Sequence, residues 1–255
     1  MRVALAVPRV LADWHINLAT MQKMIAAAAH AGAQLIIFSE AAVTGFVNIG
    51  DPAYDLALGQ PIPGPATIAL SQAAREQQIW VAFGLFEHNG ADLYDTALLL
   101  ASDGSIRLHY RRIDPHWHHW HSRVGSMLPY AQGTQLAQIS TPIGTCAFLL
   151  CGDLFNATCQ QRLARLQPDW LLFPMARGFD SEVADAAQWH TQDRYYYVRE
   201  AQKANVNMLL VNQLADIDPR FHYFGGALVV SKHGAILAEH PLGQGDLLVA
   251  DIPEV

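Results

Sequence analysis

Residues 34–46 read Gln34-Leu-Ile-Ile-Phe-Ser-Glu-Ala-Ala-Val-Thr-Gly-Phe46. The apolar run inside this stretch is too short for a helix and reads as a buried strand that ends at Ser39-Glu40. Working back, apolar residues recur at helical spacing from about Asp13 to Ala31, and Val3 to Val7 form an earlier apolar run. Strand, helix and strand in succession make a β-α-β opening.

The same alternation continues downstream. A turn-forming passage, Gln60-Pro-Ile-Pro-Gly-Pro65, precedes a helical stretch from Ala66 to Gln77. Strands follow at Ile79 to Phe86 and Tyr94 to Ala101, joined through His88-Asn-Gly90, and the turn Ser102-Asp-Gly-Ser105 leads into Ile106 to Tyr110. Residues 111–133 break the periodicity and read as a long surface loop, a length that usually carries function. Beyond it come a strand at Thr145 to Leu150, a helix near Gln160 to Leu166, a strand at Trp170 to Phe173 and a long helix from Ser181 to Lys203. Strands at Asn207 to Val211, Gly226 to Ser231, Ala235 to Ala238 and Leu247 to Ala250 close the chain. With no repeat and no shift of composition, residues 1–255 read as a single mixed α/β domain.

Composition removes several functions. Hydrophobic residues make up 51% of the chain and charged ones 15%, which excludes intrinsic disorder. Sixteen basic against twenty-three acidic side chains give a net charge of −7 without any basic run, so nucleic acid is not an expected partner. The longest apolar stretches, such as Ala33 to Phe38 and Ala97 to Ala101, fall far short of the roughly 20 residues that span a bilayer. The opening Met-Arg-Val-Ala-Leu-Ala-Val-Pro reads as a strand rather than a leader, because Pro8 ends the run and no cleavage-type site follows. Cys146, Cys151 and Cys159 are odd in number and contain no Cys-x-x-Cys spacing, which suits a reducing, cytoplasmic setting.

Three reactive or charged side chains stand at the C-terminal ends of expected strands: Glu40, Arg112 of the Arg111-Arg112 pair, and Cys151. Ligand crevices of open α/β sheets lie outside those ends, so the three have a route to convergence. A cysteine at a strand-to-turn junction, followed by Gly152-Asp153, has backbone N–H groups beside it for a developing oxyanion. On pattern alone, an inert buried cysteine is the commoner reading of Cys151, and an ordinary surface base that of Arg112. Glu40 must either turn to solvent or be paired.

Other features carry less. The run His116-Trp-His-His-Trp-His121 lacks the His-x-x-x-His spacing that sets two ligands on one helical face, and no cysteine or carboxylate completes a set, so no metal is expected. Trp117 and Trp120 read instead as a wall over a pocket. Cys146, five positions before Cys151 on the same expected strand, falls on the opposite face by alternation and reads as structural. Tyr195-Tyr-Tyr197 reads as core and helix-interface packing.

The segments Phe38-Ser-Glu-Ala-Ala-Val-Thr-Gly-Phe46, Tyr110-Arg-Arg-Ile113 and Gly144-Thr-Cys-Ala-Phe-Leu-Leu-Cys-Gly-Asp153 resemble, in order and spacing, three blocks of the nitrilase (carbon–nitrogen hydrolase) superfamily. Pro168 to Pro174, Trp189, Arg199, Asn212, Phe224 to Ser231 and Gly234 to Ala238 extend the resemblance along essentially the whole chain. The resemblance implies a four-layer α-β-β-α sandwich that assembles through helix faces into a homodimer or higher homo-oligomer. It implies no metal or organic cofactor. The site residues it implies are Cys151 as nucleophile forming a thioester and Glu40 as general base, acting on a small amide or, less readily, a nitrile. Gly152, through its N–H, together with Phe46 and Trp117 from the two long loops, completes the expected substrate contacts.

The chain departs from the family at the third catalytic position. A lysine is usual there and Arg112 stands in its place; the only lysines are Lys23, Lys203 and Lys232. Arginine keeps the charge and the donors for an oxyanion. It is also expected to clamp Glu40 in a bidentate pair, holding that carboxylate ionised and weakly basic. Residues 115–135 contain no acid where the family commonly carries a second glutamate, and Asp114 replaces a histidine. An amide hydrolase is therefore the first expectation. The second is a protein of the same fold whose catalysis is lost or altered, binding a small molecule or passing an acyl group to an acceptor other than water.

Overall fold

The structure is a computed structural model that describes residues 1–115, 131–179, 186–218 and 221–254. Two six-stranded sheets form its centre. In the first, β1 (Arg2–Ala6), β2 (Leu35–Ile37) and β3 (Trp80–Asn89) are parallel, and β4 (Asp92–Leu100), β5 (Ile106–Arg111) and the late strand β15 (Leu247–Asp251) join them antiparallel to their neighbours. In the second, β7 (Gly144–Phe148), β8 (Trp170–Met175) and β10 (Asn207–Asn212) are parallel. They are flanked by β6 (Gln138–Thr141) on one side and by β13 (Ala227–Val230) and β14 (Ile236–His240) on the other. A small third sheet joins β9 (Gly178–Phe179), β11 (Leu214–Asp218) and β12 (Phe221–Phe224).

The apolar runs explain the layering. Strands covered on both faces need no alternation, and the all-buried Leu35-Ile-Ile37 and Trp170 to Met175 have none. Val3, Leu5, Ile37, Ala82 and Leu99 pack into one core with Phe148, Leu172, Leu209 and Val229 of the other sheet. On the outer face of the first sheet, Ala4, Ile36, Val81, Phe83 and Leu98 meet Met21 and Ile25 of α1 (Trp14–His30) and Leu70 and Ala74 of α3 (Pro65–Gln77). The second sheet is covered by α4 (Ala157–Leu166) and α5 (Arg194–Ala204), which contribute Leu163, Val198 and Ala201 to the core. Each fully buried aliphatic side chain contributes about 1.5–3 kcal/mol. The architecture is the expected α-β-β-α sandwich. Local signals start the helices: Asp13 accepts from the His15 N–H ahead of α1, and Asn156 accepts from the Thr158 and Cys159 N–H groups ahead of α4.

Several elements differ from the sequence reading. A short helix, α2 (Pro52–Leu58), and the strands β6, β9, β11 and β12 were not expected. The strand expected over Thr145 to Leu150 stops at Phe148, and Cys151 instead opens a 3-10 turn, Cys151–Phe155. Cys146 lies on β7 and Cys151 beyond it, so alternation along one strand does not relate the two; Cys146 is nevertheless fully buried, with its thiol 3.4 Å from Thr141 Oγ1. The expected long helix is described from Ala186, and it widens into a π-helical turn at Trp189–Asp193 before α5. Among the described residues no helix is long and apolar enough to cross a membrane.

Candidate active site

Two of the three expected residues are delivered by β2 and β5 and the third by the turn after β7. Glu40 follows β2 in a tight turn, and a glycine fixes its position. A Cβ at Gly84 of β3 would lie 1.5 Å from the Glu40 carbonyl oxygen, so the turn rests directly on the backbone of the neighbouring strand. Gly84 also donates its N–H to Ser39 O at 3.1 Å.

Arg112 continues the pairing of β5 with β4. Thr96 stands opposite Arg111, and the next pair is held by the Arg112 N–H donating to Asp95 O at 2.8 Å. Residues opposite each other on adjacent strands share a face, so the Arg112 and Asp95 side chains meet. The Arg112 carbonyl in turn accepts from the Gly133 N–H at 2.7 Å.

Cys151 sits at φ +42°, in the left-handed region that a residue with a Cβ enters at a cost of about 1 kcal/mol or more. The strain turns the chain sharply at the sheet edge and leaves Cys151 and Gly152 half-buried. Asp153 anchors the turn from below. Its carboxylate accepts from the Tyr110 hydroxyl and from the Ile113 and Asp114 N–H groups at 3.1 and 2.7 Å, tying the cysteine turn to the exit of β5.

The three side chains converge. Arg112 Nη1 donates to Glu40 Oε1 at 2.8 Å, and Cys151 lies near enough for its charge to act on the Glu40 carboxyl. The same Nη1 also reaches Asp95 Oδ2 at 3.2 Å. Glu40 and Asp95 are wholly inaccessible and Arg112 nearly so. Burial pushes the Glu40 carboxyl up to about 8, the nearby Cys151 adds to the rise, and the Arg112 charge opposes it. Asp95 is raised well above the ordinary carboxylate range, by burial and then by the Glu40 charge beside it. Arg112 itself stays charged: burial opposes this, but Glu40, Cys151, Asp95 and Asp153 surround it with negative potential.

This corrects two expectations. Arg112 is no surface base, and its pair with Glu40 is not bidentate, because a single nitrogen, Nη1, serves two carboxyl groups with one N–H to each. Glu40 is consequently not held in the ordinary carboxylate range but lifted above it, since one shared donor does not offset complete removal from water.

Two further side chains surround Cys151. Arg177, two residues past β8, and Tyr197 of α5 both lie close enough to Cys151 to sense its charge. Arg177 donates to Asp193 Oδ2 at 2.9 Å and to the Tyr197 hydroxyl at 3.3 Å, while Asn212 brackets its backbone at 2.7 and 3.1 Å. The π-helical turn supplies Asp193. Sequence reasoning missed Arg177, although the rule that selected Glu40 and Cys151, a polar residue just beyond a buried strand, also selects it. Asp95 was missed as well; its signal was an acid between Tyr94 and Thr96 in an otherwise apolar strand.

Among the other expected contacts, Phe46 is half-buried with its ring 5.1 Å from Phe86 and 6.3 Å from Tyr223. Trp117, Trp120 and the His116 to His121 run lie outside the described residues. Among the described residues no group of three metal-ligating side chains occurs.

The carbon-nitrogen hydrolase family model matches residues 2–255. The chain belongs to the carbon-nitrogen hydrolase family. A deaminated glutathione amidase from Mus musculus is 26% identical over 243 residues, covering 90% of this chain and 71% of the relative. A formamidase from Bacillus cereus is 25% identical over 235 residues, covering 89% of this chain and 64% of that enzyme. Among solved structures, a variant of an amidase from Nesterenkonia sp. AN1 aligns with a TM-score of 0.80 at 21% identity, covering 99% of this chain and 93% of that one. In that structure acrylamide has added to the active-site cysteine.

Proposed function

We propose that this carbon–nitrogen hydrolase cleaves a small amide through a thioester on Cys151. The observation that carries the reading is the meeting of Glu40, Arg112 and Cys151, from three distant stretches, around one buried carboxyl raised to about 8. A base of that strength is suited to taking a thiol proton near neutral pH. The Cys151 sulfur attacks the amide carbon while its proton passes to Glu40. Arg112 and the Gly152 N–H hold the oxyanion, and the buried Arg112 Nε, which has no partner among the described residues, is a spare donor. Collapse breaks the carbon–nitrogen bond as Glu40 returns the proton to the leaving nitrogen, giving ammonia or an amine. Water, deprotonated by Glu40, then attacks the thioester; the acid leaves, and the proton returns to the sulfur.

Phe46 and Trp117 are proposed as substrate contacts, and residues 1–255 as one catalytic domain. The relatives named for amide cleavage support the substrate class. Exposed Phe155, Tyr195 and Tyr196 near the outer helices support self-association through that face. Three unpaired cysteines support a reducing, cytoplasmic compartment.

The test is intact mass after brief exposure to a panel of small amides. An acyl adduct on Cys151, absent from Cys151→Ala, is expected. A protein that yields neither adduct nor product with any amide, yet binds one, would establish the retained fold with altered function instead.

A further inference from the structure

The buried cluster around Arg112 contains one cation and two carboxyl groups, and the proposed chemistry uses only one of the carboxyls. Glu40 comes from the turn after β2 and Asp95 from β4, and both are fully buried. Each directs one oxygen at Arg112 Nη1, at 2.8 and 3.2 Å, and keeps its other oxygen, Glu40 Oε2 and Asp95 Oδ1, without a hydrogen-bond partner among the described residues. Two ionised carboxylates about one guanidinium would leave a net negative charge sealed from water, an arrangement with a heavy desolvation penalty. One retained proton makes the cluster neutral.

We propose that Asp95 is a positioning residue that shares one proton with Glu40, so that the pair, and not Glu40 alone, balances the charge of Arg112. Without Asp95 the whole guanidinium charge would fall on Glu40 and make it a poor base. With Asp95, one negative charge is spread over two carboxyls, and Glu40 keeps enough proton affinity to accept the Cys151 proton. The raised positions of both carboxyls agree with this. Among the described residues the other charged neighbours are engaged elsewhere. Asp153 adds to the negative potential on Arg112, but its carboxylate is engaged by the Tyr110 hydroxyl and two backbone N–H groups, and Arg177 is paired with Asp193 and Tyr197.

The role rests on Glu40 being the base, so the test separates the two ideas. Infrared spectra of the full chain at pH 7, labelled at aspartate and glutamate carboxyl carbons, are expected to show a protonated-acid band that disappears in Asp95→Asn and equally in Glu40→Gln. Loss in both single variants identifies a proton belonging to the pair. The rate of Cys151 alkylation by iodoacetamide, read on its own peptide across pH, is expected to shift its midpoint about one unit toward acid in Asp95→Asn and to fall about fivefold at its plateau. A merely structural residue would lower the amount of folded protein without moving the midpoint. Should Asp95→Asn fail to fold, the unsubstituted labelled protein decides: absence of any protonated carboxyl at pH 7 overturns the proposal. So does an alkylation profile in folded Asp95→Asn that superimposes on that of the parent. None of these readouts requires amide turnover. An alkylation profile unchanged by Glu40→Gln, with the infrared band lost in both variants, would overturn Glu40 as base and leave the shared proton standing.

Discussion

Two consecutive arginines at the end of β5 meet buried carboxyl groups and produce opposite results. Arg111 is the last residue of β5 and Arg112 continues its pairing with β4, so the two point to opposite sides of the sheet. Arg111 engages Glu87 through two N–H groups, Nε at 2.9 Å and Nη2 at 2.5 Å, while the His109 ring and the Thr96 hydroxyl meet the same carboxylate at 2.8 Å each. Burial pushes Glu87 up, but those hydrogen bonds outweigh it and hold the carboxyl at about 2. Arg112 gives Glu40 one N–H and Asp95 another, both from Nη1, and burial carries Glu40 to about 8. The cation is the same in both places. The number of donors per carboxylate decides whether the acid is inert or reactive: a saturated carboxylate stabilises the fold, and an under-satisfied one is available to exchange protons.

Removing the negative charge from each site in turn is the strongest way to break this contrast. Glu40→Gln is expected to lower amide turnover about 10³-fold, a general-base loss, while changing stability by less than about 1 kcal/mol because Asp95 remains to pair with Arg112. Glu87→Gln is expected to do the reverse: about 2 kcal/mol of stability lost in urea unfolding and turnover within about threefold of the parent. Equal rate losses in the two variants would refute the distinction. Next in size is Gly84→Ala. Its Cβ has no space beside the Glu40 carbonyl, so the turn must shift, and a displacement of about 1 Å in a catalytic group costs on the order of 10²-fold in kcat. Measured protein unfolding should show a concurrent loss of about 1–3 kcal/mol from overpacking.

Much of this contrast could be read from the chain and part could not. The strand-end positions of Glu40 and Cys151 follow from short apolar runs bounded by polar residues, and those runs also define the two sheets. What escaped depends on pairing between strands. Asp95 matters because the β4–β5 register sets it opposite Arg112, and register is a tertiary fact that no local pattern around residue 95 announces. The bidentate clamp expected between Arg112 and Glu40 failed for the same reason, since it left out the second acceptor. The early end of β7 escaped because Leu149 and Leu150 continue the apolar run while the backbone is already preparing the left-handed turn at Cys151. The small strands β9, β11 and β12 are short and carry mixed polarity, so neither periodicity marks them.

Exchanging each arginine for lysine sharpens the comparison with a smaller effect. Arg111→Lys cannot reproduce two N–H donors to one carboxylate, and it loses a guanidinium placed 3.8 Å over the Tyr94 ring, so about 1 kcal/mol of stability should go with no change in rate. Arg112→Lys loses less, because a single N–H serves Glu40 there and an ammonium supplies one; turnover on the amide panel should stay within about tenfold of the parent or exceed it.

The smallest expected effect, a few degrees in melting temperature, tests the pair through pH. Glu40 is raised from 4.5 to about 8, so between those values the folded protein binds more protons than the unfolded chain. Stability from this group is full below about 4.5 and falls as pH rises through 8. Glu87 is depressed from 4.5 to about 2; its contribution is full above 4.5 and falls as pH drops through 2. Thermal melts across pH should therefore flatten on the alkaline side in Glu40→Gln and on the acid side in Glu87→Gln. If Glu40→Gln instead flattened the acid side, Glu40 would be an ordinary ion-paired carboxylate, and the difference between the two arginines would be one of position alone.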